Sequence, residues 1–162
     1  MNLRWITSLS LSALMALPTW VPAHEGKHEL TAVNDIAQQA QPAVTVVDQF
    51  SAALKDGDLK RAGTFLAEDV LILESGGAER SRDEYLGGHA GHDAAFLKTA
   101  HVQPVQRKAR AEGDLAWVGS ESELHTEKDG KTTFLSTETM VLKRTSQGWR
   151  IVHIHWSSRP KR

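Results

Sequence analysis

Gly148-Trp149-Arg150-Ile151-Val152-His153-Ile154-His155-Trp156-Ser157-Ser158 is the stretch whose reading decides the fold. Its β-branched and aromatic residues predict a strand. With a side-chain period of two, His153 and His155 share one face with Ile151 and Ser157, and Val152, Ile154 and Trp156 share the other. Neither face reads as plain solvent. The pattern predicts a strand buried on both sides, with the histidine face lining a polar pocket.

Three more strands precede it, near 101–111, 115–126 and 131–144, with 149–158 closing the series. Asp114, Asp129-Gly130 and Gln147-Gly148 mark the turns, and Asp-Gly is a strong hairpin signal. Upstream the period changes. Pro42 suits a first helical turn, and Val44, Val47, Phe50, Ala53 and Leu54 recur at helical steps until Gly57. Asp58 caps a short helix carrying Leu59, Ala62, Phe65 and Leu66. Val70-Leu71-Ile72-Leu73 reads as a buried strand, turned by Glu74-Ser75-Gly76-Gly77. Ser81-Arg82-Asp83-Glu84 fits a capping box for a helix bearing Tyr85, Leu86 and, past Gly87-Gly88, His89. Another helical turn covers His92 to Leu97. Helices followed by an antiparallel meander define an α+β class, a strongly curved sheet around segregated helices.

The 162 residues suffice for one domain. Residues 1–23 read as a signal peptide: Arg4 is the lone charge, Trp5 to Leu17 is apolar, and Val21-Pro22-Ala23 offers small residues for cleavage. Periplasmic or secreted localisation follows, with no membrane span after cleavage. Residues 24–40 read as a polar tether, 41–158 as the domain and 159–162 as a basic, solvated tail. With no cysteine, packing alone must hold the fold. The net charge of −1 and the absence of a basic run interleaved with aromatics argue against nucleic acid as a partner.

Ala67-Glu68-Asp69-Val70, Gly113-Asp114-Leu115-Ala116-Trp117-Val118 and Gly148-Trp149-Arg150-Ile151-Val152-His153, in this order and spacing, resemble the nuclear transport factor 2-like superfamily, in particular its SnoaL-like members. The closing strand is also similar to the association domain of calcium/calmodulin-dependent kinase II. The resemblance covers about residues 42–158. It implies a cone with a pocket between helices and sheet, and a homodimer through the sheet's outer face. It implies no particular reaction, because the superfamily holds isomerases, dehydratases, cyclases and non-catalytic modules.

Glu74, at the end of an apolar strand, has either of two roles: a desolvated general acid or base, or a turn carboxylate accepting backbone N–H groups. His89 shares a helix face with Tyr85, and Asp93 follows a turn later. His89 and His92 have a spacing that can hold a metal on a helix, and His89 with His153 and His155 could gather three imidazoles for zinc or copper. Hydrogen bonds from these rings to Glu138, Glu123 or serines are the preferred reading, since buried polar groups usually find protein partners. Glu138, among apolar neighbours, calls for a histidine or arginine partner. Glu121, Glu123 and His125 share a face with Trp117; for Glu123 and His125 a solvent or dimer-rim position is preferred. His24, as a mature N-terminus, could chelate copper with its amine. No nucleophile elbow, phosphate loop or dinucleotide fingerprint appears, so cofactors are expected to be none.

The expectation is an exported domain binding a small organic molecule, with Glu74 or His153 as base and His89 and Tyr85 as oxyanion donors. Asp93, Glu138, His155 and Trp117 complete the ligand-binding set. The alternatives are a non-catalytic binding or assembly module and a histidine-based metal-binding protein.

Overall fold

The computed structural model describes residues 32–126 and 132–162. The leader with its cleavage site, His24, and the Asp129-Gly130 turn lie outside the described residues.

Helix α1, Gln41–Asp56, has proline in its first turn and buries Val44, Val47, Phe50, Ala53 and Leu54 on one stripe. Gly57 ends it at φ 75°, a conformation that only glycine takes without strain. The Asp58 side chain accepts from Arg61 N at 3.0 Å and starts α2, Leu59–Gly63. This helix is shorter than its apolar pattern implies. Phe65 falls outside it, and Leu66 already begins a strand. Helix α3, Arg82–Gly87, opens on the Ser81 cap, whose hydroxyl accepts from Glu84 N at 3.1 Å. Gly88 breaks it before α4, Ala90–Thr99.

The strands are β1 (Val33–Ile36), β2 (Leu66–Glu74), β3 (Gly77–Glu79), β4 (Ala100–Glu112), β5 (Leu115–Thr126), β6 (Thr133–Thr145) and β7 (Gly148–Pro160). They form one sheet in the order β1-β4-β5-β6-β7-β2-β3. The β4 to β7 meander is antiparallel, as the turn residues predict, whereas β1 on β4 and β2 on β7 are parallel. The sheet curves around α1 without closing. Its inner face contributes Ile72, Ala109, Val118, Met140, Leu142, Ile151 and Ile154 to the core. The fold is the expected α+β cone.

Two boundaries differ from the sequence reading. The end of the polar tether is strand β1, which its own apolar content does not predict. Its support comes from far away: the β4 ladder from Gln106 to Ala109, and Arg110, whose Nη2 donates to both Asp35 carboxylate oxygens at 2.9 and 2.7 Å. The basic tail is likewise paired. Arg159 and Pro160 sit in β7 opposite Leu135 and Phe134, and Lys161 N donates to Thr133 O at 2.7 Å.

The decisive strand holds a further departure. Leu142 pairs with Ile151 and Val141 with His153, so Val152 is an extra residue, a β-bulge. The bulge resets the alternation. Ile151 and Ile154 are fully buried, Trp156 also turns inward, and His153 and His155 turn outward.

Candidate functional site

A cavity of about 770 Å³ opens between α1, α4 and the inner face of the sheet. Phe50, Leu54, Phe96, Leu97, Leu124 and Phe134 give it apolar walls. Its polar floor is one row of residues in register across five strands: Glu74 on β2, Trp156 on β7, Glu138 on β6, Ser120 on β5 and Arg107 on β4. Each position faces the cavity because it holds the inward phase of its own strand. Residues in register on adjacent strands lie roughly 5 Å apart, so the row is a continuous polar track.

At one end stands a carboxylate pair. Glu74 is the last residue of β2, fixed by the tight turn at Ser75 and Gly76, which take φ 48° and 91°. Two consecutive positive φ values match the tight hairpin that suits the sheet's twist. Asp93, from the first turn of α4, lines the same wall. Burial pushes the Glu74 carboxyl above its ordinary value. Asp93 pushes it further, and His89 pulls it back. Burial also raises Asp93, opposed by the hydrogen bond from Tyr85. The charge of Asp93 thus adds to burial in disfavouring an ionised Glu74, whereas Asp93 itself is raised chiefly by burial.

Tyr85 lies beneath this pair, fully buried, its ring centroid 6.2 Å from that of Trp156. Its hydroxyl donates to Asp93 Oδ2 at 2.9 Å. Burial, then the neighbouring Asp93, raise the phenol far above its ordinary value. The expected part for Tyr85, direct donation to a ligand, therefore gives way to orienting Asp93. His89 is also displaced from its expected place. The break at Gly88 takes it off the Tyr85 face, and it stands half-exposed with Nδ1 2.7 Å from Glu79 Oε1. That hydrogen bond raises its pKa. The His92 ring sits edge-on to it at 6.2 Å.

Farther along the floor, Trp156 Nε1 donates to Glu138 Oε2 at 2.8 Å and Ser120 Oγ to Oε1 at 3.4 Å. Arg107 Nε donates to Ser120 Oγ at 3.3 Å, and its Nη1 to Asp48 Oδ1 on α1 at 2.5 Å. Burial raises the Glu138 carboxyl, while the Trp156 hydrogen bond and the charge of Arg107 lower it. Glu138 thus has an arginine nearby, as its surroundings demand, with an indole N–H as its closest partner.

Three expected site residues lie elsewhere. His153, His155 and Trp117 face the outer surface of the sheet. His153 Nδ1 meets Leu71 O at 2.8 Å, His155 is exposed, and Trp117 is 40% exposed. The three imidazoles of the metal reading, His89, His153 and His155, do not converge. Among the described residues no group of three or more His, Asp or Glu is arranged to hold a metal ion. Sequence reasoning missed Arg107, Asp48, Ser120 and Trp156 as site residues. A signal existed for Arg107, because Ala109 and Ala111 share its strand face and are small enough to lie against the core.

A curved mixed sheet around helices, with a polar-floored cavity inside, defines a nuclear transport factor 2-like cone. The chain belongs to the SnoaL-like domain family, which matches residues 44–160. It is similar to the crystal structure of a candidate ketosteroid isomerase from Shewanella frigidimarina NCIMB 400, with 35% identity over 76% of this chain and 99% of that one, and a TM-score of 0.70. It shares its fold with a candidate dehydratase from Streptomyces avermitilis (17% identity, 75% of this chain and 96% of that one, TM-score 0.61). It also shares it with a candidate calcium/calmodulin-dependent kinase II association domain from Xanthomonas campestris (21% identity, 82% and 98%, TM-score 0.62). No curated protein matches the chain. Among the described residues no helix is long and apolar enough to cross a membrane.

Proposed function

We propose that this protein binds a small, mostly apolar organic molecule in its cone and moves a proton on it without a cofactor, in isomerase- or dehydratase-like chemistry. The observation that carries this reading is the Glu74–Asp93 pair at one end of an open apolar cavity. Ionised, Glu74 is a base, and its raised pKa makes it a stronger proton acceptor than an ordinary carboxylate. Protonated, Asp93 donates a hydrogen bond to the oxygen that gains charge, and Tyr85 holds it in place. The similarity to a candidate ketosteroid isomerase and a candidate dehydratase supports the same class.

The test is exchange of C–H hydrogens in deuterated water, followed by NMR on a panel of cyclic ketones and unsaturated ketones. Glu74→Gln is expected to slow exchange by roughly 100-fold or more. Exchange that survives this change unaltered sinks the assignment of Glu74 as base.

Two further parts of the proposal rest on other features. Export is supported by the leader composition of residues 1–23; an N-terminus at His24 after expression in a host with a secretion pathway would establish it. Pairing with a second copy is supported by the outer sheet face, where Trp117, Val141, His153 and Leu71 form a row in register.

A further inference from the structure

We propose that Asp48 sets the charge of the ligand: by engaging Arg107, it reserves the cone for uncharged molecules and turns away carboxylates. The inference rests on the reading of the cone as a ligand cavity and adds the substrate class to it.

Arg107 is the cation of the cavity floor. Its position in the middle of β4, three-quarters shielded and surrounded by apolar walls, is the setting of an anion receptor. A guanidinium fork there would hold a ligand carboxylate through two parallel hydrogen bonds. Here the fork is already engaged. Asp48 comes from the flank of α1 that faces the cavity, one residue beyond the buried Val47 and one turn before Ser51 and Ala52, which also line it. It accepts from Nη1, and Ser120 accepts from Nε.

The carboxyls of the floor offer an anion nothing in return: Glu138 lies on the other side of Ser120, and Glu74 and Asp93 stand at the far end. Lys55, the other cation of the lining, is exposed at the mouth, where water screens it. An entering carboxylate would have to displace Asp48 or sit beside it. Asp48 is itself 56% exposed, so the bar is its like charge beside Arg107 together with the Nη1 it already occupies, weakened in part by water. A ketone, amide or hydroxyl oxygen meets no such bar. It needs one N–H from Arg107 and leaves the ion pair intact.

The experiment compares two probes of one shape, 2-naphthamide and 2-naphthoate, by calorimetry at pH 7.5 on the full folded chain. The amide is expected to bind roughly tenfold or more tightly than the carboxylate. In Asp48→Asn the carboxylate is expected to gain roughly tenfold while the amide changes little. Adding Arg107→Gln to that variant should abolish the gain. Equal binding of both probes to the wild type overturns the proposal, as does an unchanged ratio in Asp48→Asn. Failure of both probes to bind any form overturns the ligand-cavity reading itself, and this one with it. The wild-type comparison decides even if a variant folds poorly.

Discussion

Glu138 shows what one residue at the cavity floor does to the protein's pH response. Burial raises its carboxyl above the ordinary 4.5, so the folded state keeps a proton that the unfolded chain releases. The contribution is therefore fully present below the unfolded value. It is lost as pH rises through the folded one. Glu138→Gln removes that dependence while keeping an acceptor for Trp156 Nε1. Across that window the variant should lose less stability than the wild type, the two slopes differing by at most about 1.4 kcal/mol per pH unit for a single proton. Urea unfolding at a series of pH values measures it, and parallel slopes would show that Glu138 does not titrate in this way. Glu74 and Asp93 are raised as well and act with the same sign in both proteins, so the difference isolates Glu138.

At the scale of elements, local chemistry settles boundaries and distant pairing settles faces. Gly57 belongs to the first kind. A Cβ there would meet nothing within 4 Å, so its whole value is the positive φ that ends α1. Gly57→Ala should cost about 1–2 kcal/mol in chemical unfolding, from backbone strain alone. The helices, the meander and the caps were legible for the same reason, because proline, glycine, Ser81 and Asp58 act on their own neighbours. Glu74 and Glu138 were legible as carboxylates set into apolar runs, and Tyr85 and Asp93 as polar groups at helical steps from His89. Val152 belongs to the second kind. Nothing within β7 announces the bulge, which exists only against Val141 and Leu142, and it reverses the face on which His153 and His155 appear. Arg107 escaped notice in a charged run that reads as solvent, since its partners Ser120 and Asp48 come from β5 and α1. Strand β1 was read as a tether because its reason for being a strand is β4.

For the whole molecule, the two faces of the sheet divide the work. The inner row carries the polar floor. The outer row of Trp117, Val141, His153 and Leu71 leaves Trp117 and Leu71 exposed, at 40% and 39%, with none of the described residues covering them. Large exposed apolar residues grouped on one face mark an interaction surface. The proposed homodimer predicts that sedimentation shows twice the chain mass, and that Trp117→Glu shifts the protein to monomer without loss of its circular dichroism. A wild-type monomer at high concentration would rule out that use of the face. The inner row has a different consequence, in time rather than space. It takes one residue from each of five strands, and the pairing of Glu74 with Trp156 joins an early strand to the last one. A chain still emerging from the ribosome, or one truncated before β7, holds Glu74 and Asp93 but lacks the floor between Glu74 and Glu138. Competence for the proposed chemistry is therefore expected to wait on β7, and chains that lack this strand to be inactive.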